Sequence, residues 1–228
     1  MSEDVVEAGK SEPSGAVQAA TALLLIGGTV AGLWGFGVLG NASANGNEPA
    51  ACPAPKQSDA AEYPALCAAL NRPDLPTLVG MPTERVSVAQ SGGGPVTYAD
   101  GTKEDVPAAE VQIGQVRVRI TDNRTLTVDD AAFFTSSPPV RTQVLDHSAR
   151  TFTDHTMAIS FGLTGGKASA GTGGIARHLV VAKAPGALGG GSFELAIWRQ
   201  DSADPDEAAL FRMAEQILPE LRTWVTGP

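Results

Sequence analysis

The stretch Val111-Gln112-Ile113-Gly114-Gln115-Val116-Arg117-Val118-Arg119-Ile120 decides the fold class. Val116, Val118 and Ile120 alternate with Arg117 and Arg119, the two-residue period of a strand with one buried and one solvated face. Val111 and Ile113 extend the stripe, and the step from Ile113 to Val116 breaks its period at Gly114. The sequence therefore predicts one long strand carrying a β-bulge at that glycine. Further strands are expected over 140–145, 149–153, 156–161, 176–182 and 192–199, with Asp146-His147 and Asp154-His155 at turns. Connections this short favour an antiparallel meander over parallel crossovers.

Helices flank these strands. The first is expected over 60–70, with Asp59 and Glu62 as a capping box and Pro64 drawing the start towards Tyr63. Leu66, Cys67 and Leu70 form its apolar face. A second turn covers 73–79 and is stopped by Gly80. At the other end Asp204 reads as an N-cap, Pro205 as the first helical residue and Glu207 as an acid in the first turn. Leu210, Met213, Ala214, Ile217, Leu221 and Trp224 then recur at helical spacing, with Pro219 set to kink or end the helix. The predicted fold class is α+β, an antiparallel β-sheet packed with N- and C-terminal helices.

In front of this domain stands an uncharged run over 16–39, long enough as a helix to cross a hydrocarbon core of about 30 Å. The leader before it is acidic, unlike the basic n-region of a secretory signal, and the run is too long for one; Ala42-Ser43-Ala44 nevertheless has the form of a cleavage site. The expected organisation is a disordered acidic leader at 1–15, a transmembrane helix at 16–40, a flexible tether at 41–57 and an extracytoplasmic α+β domain at 58–228. Lys10 is the only basic residue before the run, and none follows until Lys56, which favours a cytoplasmic N-terminus. Cys52 and Cys67, the chain's two cysteines, suggest a disulfide in an oxidising compartment and point the same way. Their alternative reading is a small core residue and a free thiol. Gly28 and Gly32 form a small-xxx-small pair, a possible helix–helix contact through which a homodimer would form.

The formal charge of −9 excludes function classes that need a basic surface. A nucleic-acid binder must displace counterions from phosphate, and this chain would repel the polyanion. The expected partners are the lipid bilayer through 16–40 and an envelope protein.

The sequence supplies little chemistry. His147, His155 and His178 show no paired ligand spacing and there is no CxxC, so no metal or cofactor site is expected. Across a predicted hairpin His147 and His155 could meet, with Asp146 and Asp154; these four are the best candidates if the domain is an enzyme. Asp129-Asp130 reads as a solvated turn. Gly165-Gly166-Lys167-Ala168-Ser169 fails the phosphate-loop pattern at the first glycine and at the hydroxyl position. The glycine-rich stretches at 91–94, 162–174 and 186–191 read as hairpin loops.

The segments Leu66-Cys67-Ala68-Ala69-Leu70-Asn71-Arg72-Pro73-Asp74-Leu75-Pro76 and Gly190-Gly191-Ser192-Phe193-Glu194-Leu195-Ala196-Ile197-Trp198-Arg199 together resemble an uncharacterised family of actinobacterial membrane-anchored proteins, defined only as a domain of unknown function. The resemblance covers roughly residues 50–226 and brings no catalytic residue with it. The helix–sheet–helix order is also similar to PsbP-like α/β/α domains of exported lipoproteins, a likeness of architecture that does not set function. The function expected is a single-pass membrane protein displaying a binding or interaction module outside the cell, and not an enzyme. The alternatives are an extracytoplasmic enzyme and an accessory subunit of a membrane complex.

Overall fold

A computed structural model of the chain describes residues 48–56, 60–97, 101–131, 135, 137–160, 169–186 and 190–225. The chain divides into two units, Met1–Val38 and Leu39–Pro228, and every described residue belongs to the second. The apolar run at 16–39, with Gly28 and Gly32, lies outside the described residues. Among the described residues no helix is long and apolar enough to cross a membrane.

Seven strands form one antiparallel sheet: β1 (Val86–Thr97), β2 (Lys103–Ile113), β3 (Val116–Asn123), β4 (Val140–Val144), β5 (His147–Ser160), β6 (Ser169–Ala182) and β7 (Ser192–Arg199). Their spatial order is β1-β2-β3-β7-β6-β5-β4. Two meanders, β1 to β3 and β4 to β7, are thus zipped together where β7 pairs antiparallel with β3. The expected antiparallel α+β class is the one found.

The stripe over 111–120 is a hairpin and not one bulged strand. Ile113 pairs with Val116 and Val111 with Val118, so the two strands meet at a turn of Gly114 and Gln115. Gly114 takes φ +53°, a conformation glycine adopts at the first central position of a tight hairpin turn without a Cβ penalty. Because the turn holds two residues, the apolar phase survives on both sides, and Val111, Ile113, Val116, Val118 and Ile120 all reach the same core.

That core lies on one face of the sheet. Helices α1 (Glu62–Leu70), α2 (Leu75–Leu78) and α4 (Glu207–Ile217) bury Leu66, Leu70, Leu75, Leu210, Met213 and Ile217 against Val118, Ile120, Leu179, Leu195 and Ile197. Arg72 ties the helices together: its guanidinium donates to Asp74 and, at 2.9 Å, to the carbonyl of Gln216. The hydrogen bond from Arg72, ahead of its charge, holds the Asp74 carboxyl below the usual range.

The caps differ in detail from expectation. Ala61 occupies the N-cap of α1 with no side-chain cap bond, so the Asp59–Glu62 box is not the start of this helix, and Asp59 lies outside the described residues. In α4 the cap is Asp206, whose carboxylate accepts from Ala208 N at 3.0 Å and from Arg212 Nη2 at 2.7 Å. Both Asp204 and Asp206 have capping chemistry, and the helix starts after the one that follows Pro205. The regular helix ends at Ile217, and a 3-10 turn over Leu218–Glu220 accommodates Pro219. Leu221 and Trp224 lie beyond it, yet both return to the core.

The opposite face carries the connection from β3 to β4. A short helix, α3 (Val128–Ala131), packs Val128 on Val180 and Ala182. Asp129 and Asp130, expected as a solvated turn, start this helix. Thr127 and Asp130 cap each other's backbone N–H groups at 3.1 and 3.2 Å, a reciprocal box, while Asp129 pairs with Arg150. The hydrogen bond from the Thr127 hydroxyl is the main cause of the lowered pKa of Asp130.

Candidate functional site

Two buried charges stand at one end of the core face. Alternation along β3 puts Val118, Ile120 and then Asp122 on that face, and alternation along and beyond β6 puts Leu179, Val181 and then Lys183 there. Where a third apolar residue would continue each stripe, the chain supplies an acid and a base. Between them lies Phe193 of β7, paired with Asp122 on one side and Val181 on the other. The Lys183 ammonium donates to the Asp122 carboxylate, and its Nζ sits 5.0 Å from the centre of the Phe193 ring. Asp122 is 3 % exposed and Lys183 7 %, so this ion pair is taken almost wholly out of water.

A cavity of about 390 Å³ opens above Asp122. One wall is the first turns of α1, with Ala61, Glu62, Ala65 and Leu66; the floor is Asp122 and Phe193; the far wall is Leu221, Arg222 and Thr223 of the C-terminal segment. At the mouth Glu62 pairs with Arg124 at 3.2 Å. Arg222 forms no ion pair among the described residues. Only Lys183 is seen to donate to the Asp122 side chain, and through one oxygen. The other oxygen is not sealed in protein, since the sole described side-chain N or O enclosed without a partner is Arg177 Nε. Asp122 also lines the cavity.

The walls of this cavity are fixed from outside it. Cys52 and Cys67 form a disulfide with Cα atoms 6.0 Å apart, joining the segment before α1 to the residue that follows Leu66. Ala50 is buried, donates its N–H to Val86 O at 2.9 Å and receives the Asn71 amide on its carbonyl at 2.8 Å. Ala50 and Cys52, within the stretch read as a tether, are thus built into the domain. On the far side Trp224 stacks on His147, and Val225 N donates to Lys183 O at 2.9 Å.

The residues expected to converge as an enzyme site do not. His147 opens β5, is buried, and donates from Nδ1 to the Ala182 carbonyl at 2.7 Å. Asp146 lies in the β4–β5 turn. Asp154 and His155, expected at a turn, sit inside β5, which runs unbroken in place of two predicted strands with an irregularity between His155 and Met157. Eight residues along one strand separate the two histidines by about 26 Å. His178 instead pairs with Glu194 at 2.7 Å and stacks on Phe152. Burial alone would push the Glu194 carboxyl up, but its hydrogen bond to His178 and the attraction of His178 and Arg119 together hold it below the usual range. Among the described residues no three His, Cys, Asp or Glu side chains are grouped to hold a metal ion.

The sequence pattern of DUF6215, a family of unknown function, matches residues 10–137, more than half of the chain. The chain belongs to DUF6215. The match takes in the apolar run, the cysteine pair, α1 and β1 to β3, and it stops before β4. It therefore includes Glu62, Leu66 and Asp122 but not Lys183, Phe193 or the C-terminal wall. The stretch over 190–199, half of the resemblance noted in the sequence, falls outside the part that defines DUF6215. No curated protein and no solved structure matches the chain.

The lining combines apolar surface with charged side chains. The Lys183 amine is engaged as an ion-pair donor, Thr223 carries the only hydroxyl among the lining side chains, and the lining contains no histidine. Neither Asp122 nor Lys183 was singled out from sequence, although a charge in phase with a buried stripe was the signal that marked each.

Proposed function

We propose that this DUF6215 chain is a single-pass membrane protein that displays its α+β domain outside the cell as a binding module. The observation that carries the binding reading is the cavity over the Asp122 end of the Asp122–Lys183 pair. A pocket of this volume falls at the small end of small-molecule sites, which span roughly 300–1,000 Å³. Stability alone does not favour such a pair, because a buried ion pair is often no better than well-packed apolar residues. Placing Asp122 in the lining of an open cavity gives its carboxylate something to meet.

The display reading is supported by the apolar run at 16–39, the acidic leader and the disulfide between Cys52 and Cys67. The same reading includes an actinobacterial source, in keeping with eleven arginines against five lysines, and a likeness to PsbP-like domains. It also includes pairing of two copies through Gly28 and Gly32, or seating of the run against a larger membrane complex.

Protease treatment of intact, wall-stripped cells carrying a C-terminal tag tests the display. Loss of the tag with retention of a short membrane stub is expected; survival of the tag would place the domain in the cytoplasm. The binding reading is tested by native mass spectrometry of the purified chain. A small molecule retained by the native chain and lost from Ala65→Leu, which fills the cavity from α1, is the expected result.

A further inference from the structure

The cavity has distinct ends, and their chemistry narrows what fits between them. At the floor Asp122 lines the cavity, and one of its oxygens has no donor among the described residues. A buried acceptor of this kind is costly to cover with an apolar group and favourable to cover with a charged donor. Ala61, Ala65, Leu66, Phe193 and Leu221 supply apolar surface around it. At the mouth Glu62 is already neutralised by Arg124, whereas Arg222 has no acid partner among the described residues. A guanidinium so placed offers two parallel donors to a carboxylate.

We propose, resting on the binding-module reading, that the cavity recognises a zwitterionic amino acid with an apolar side chain. Its ammonium reaches the open oxygen of Asp122, its side chain lies against Leu66 and Leu221, and its carboxylate faces Arg222. Lys183 positions the Asp122 carboxylate without touching the ligand. A simple amine would leave Arg222 unanswered, and a simple acid would leave the second oxygen of Asp122 without a donor.

The test uses the full-length chain in detergent micelles and three probes measured by calorimetry: free leucine, isoamylamine, which lacks the carboxylate, and N-acetylleucine, which lacks the ammonium. Leucine is expected to bind saturably, and each of the other two to bind about tenfold or more weakly. Arg222→Gln, at an exposed position, should bring leucine down to the level of isoamylamine without changing isoamylamine itself. Ala65→Leu should abolish binding of all three. Equal binding of leucine and N-acetylleucine would overturn the proposal, as would failure of every probe to bind. In the latter case native mass spectrometry separates the two readings. A retained molecule of other chemistry, lost from Ala65→Leu, overturns only the ligand class; an empty cavity overturns the binding module as well.

Discussion

The imidazole of His147 lies flat on the indole of Trp224, their ring centres 3.6 Å apart and their planes within 19°. This stack joins the first residue of β5 to the C-terminal segment, and with the Val225–Lys183 backbone bond it presses that segment against the sheet. Trp224→Ala removes a large, nearly buried side chain and should cost about 3–5 kcal/mol in urea unfolding. It should also raise amide exchange over 221–225, because the far wall of the cavity loses its anchor.

The Asp122–Lys183 pair predicts an asymmetry between single and double variants. Lys183→Met leaves a carboxylate buried without its partner and should destabilise the domain by about 3–5 kcal/mol. Asp122→Leu combined with Lys183→Met removes both charges and should recover most of that loss. Denaturant midpoints of the four proteins in the cycle decide it, and additivity of the two single effects would mean that the charges do not interact.

The disulfide closes a loop of 15 residues between Cys52 and Cys67. Loop-closure reasoning gives it about 3 kcal/mol. For a domain of this size that is about 6–12 °C in Tm. The Cys52→Ser, Cys67→Ala double variant should show this fall, whereas addition of reductant should leave the variant itself unmoved.

Acid should weaken the fold in a defined direction. Asp206, held low first by its hydrogen bond from Arg212, and Glu194 both have folded-state carboxyl values below their ordinary ones. A depressed folded value gives stability that is fully present above the unfolded value and is lost as pH falls through the folded one. Tm should therefore hold from neutral pH to about pH 5 and decline below about pH 4.5, where carboxylates begin to protonate. Glu194→Gln should flatten that decline.

Gly191 takes φ +86°, and a Cβ there would press into the carbonyl oxygens of Asn123 and Arg124. Gly191→Ala should cost more than about 1 kcal/mol by thermal unfolding, since both the conformation and the space are denied to an L side chain.

The alternation of Val116 to Ile120, the run over 192–199 and the apolar face of α4 were legible because each follows from a local period. The misreadings arose where a local signal has two physical causes. A break in period at Gly114 is produced equally by a bulge and by a two-residue turn. Asp154-His155 has turn chemistry, but pairing with β6 holds it in a strand. The glycines at 92–94 suggested a loop, yet they lie in edge strand β1, where Gly93 is brought so close to the backbone of Val106 and Ala108 that a Cβ would not fit. The cavity itself was not legible. Its lining comes from positions 61–66, 122, 193 and 221–223, and no periodicity links stretches so far apart. Only the charge in phase with a buried stripe at 122 announced its floor.

The position of β7 has a consequence for how the chain is made. The last of the seven described strands in chain order is the middle strand of the sheet, with three strands on either side of it. Until residue 199 has left the ribosome, the two meanders have no common hydrogen-bonded seam and the apolar face has no continuous surface on which α4 can settle. Vectorial synthesis therefore leaves the sheet in two unjoined halves until β7 emerges, and the domain locks only after that strand and α4 have arrived.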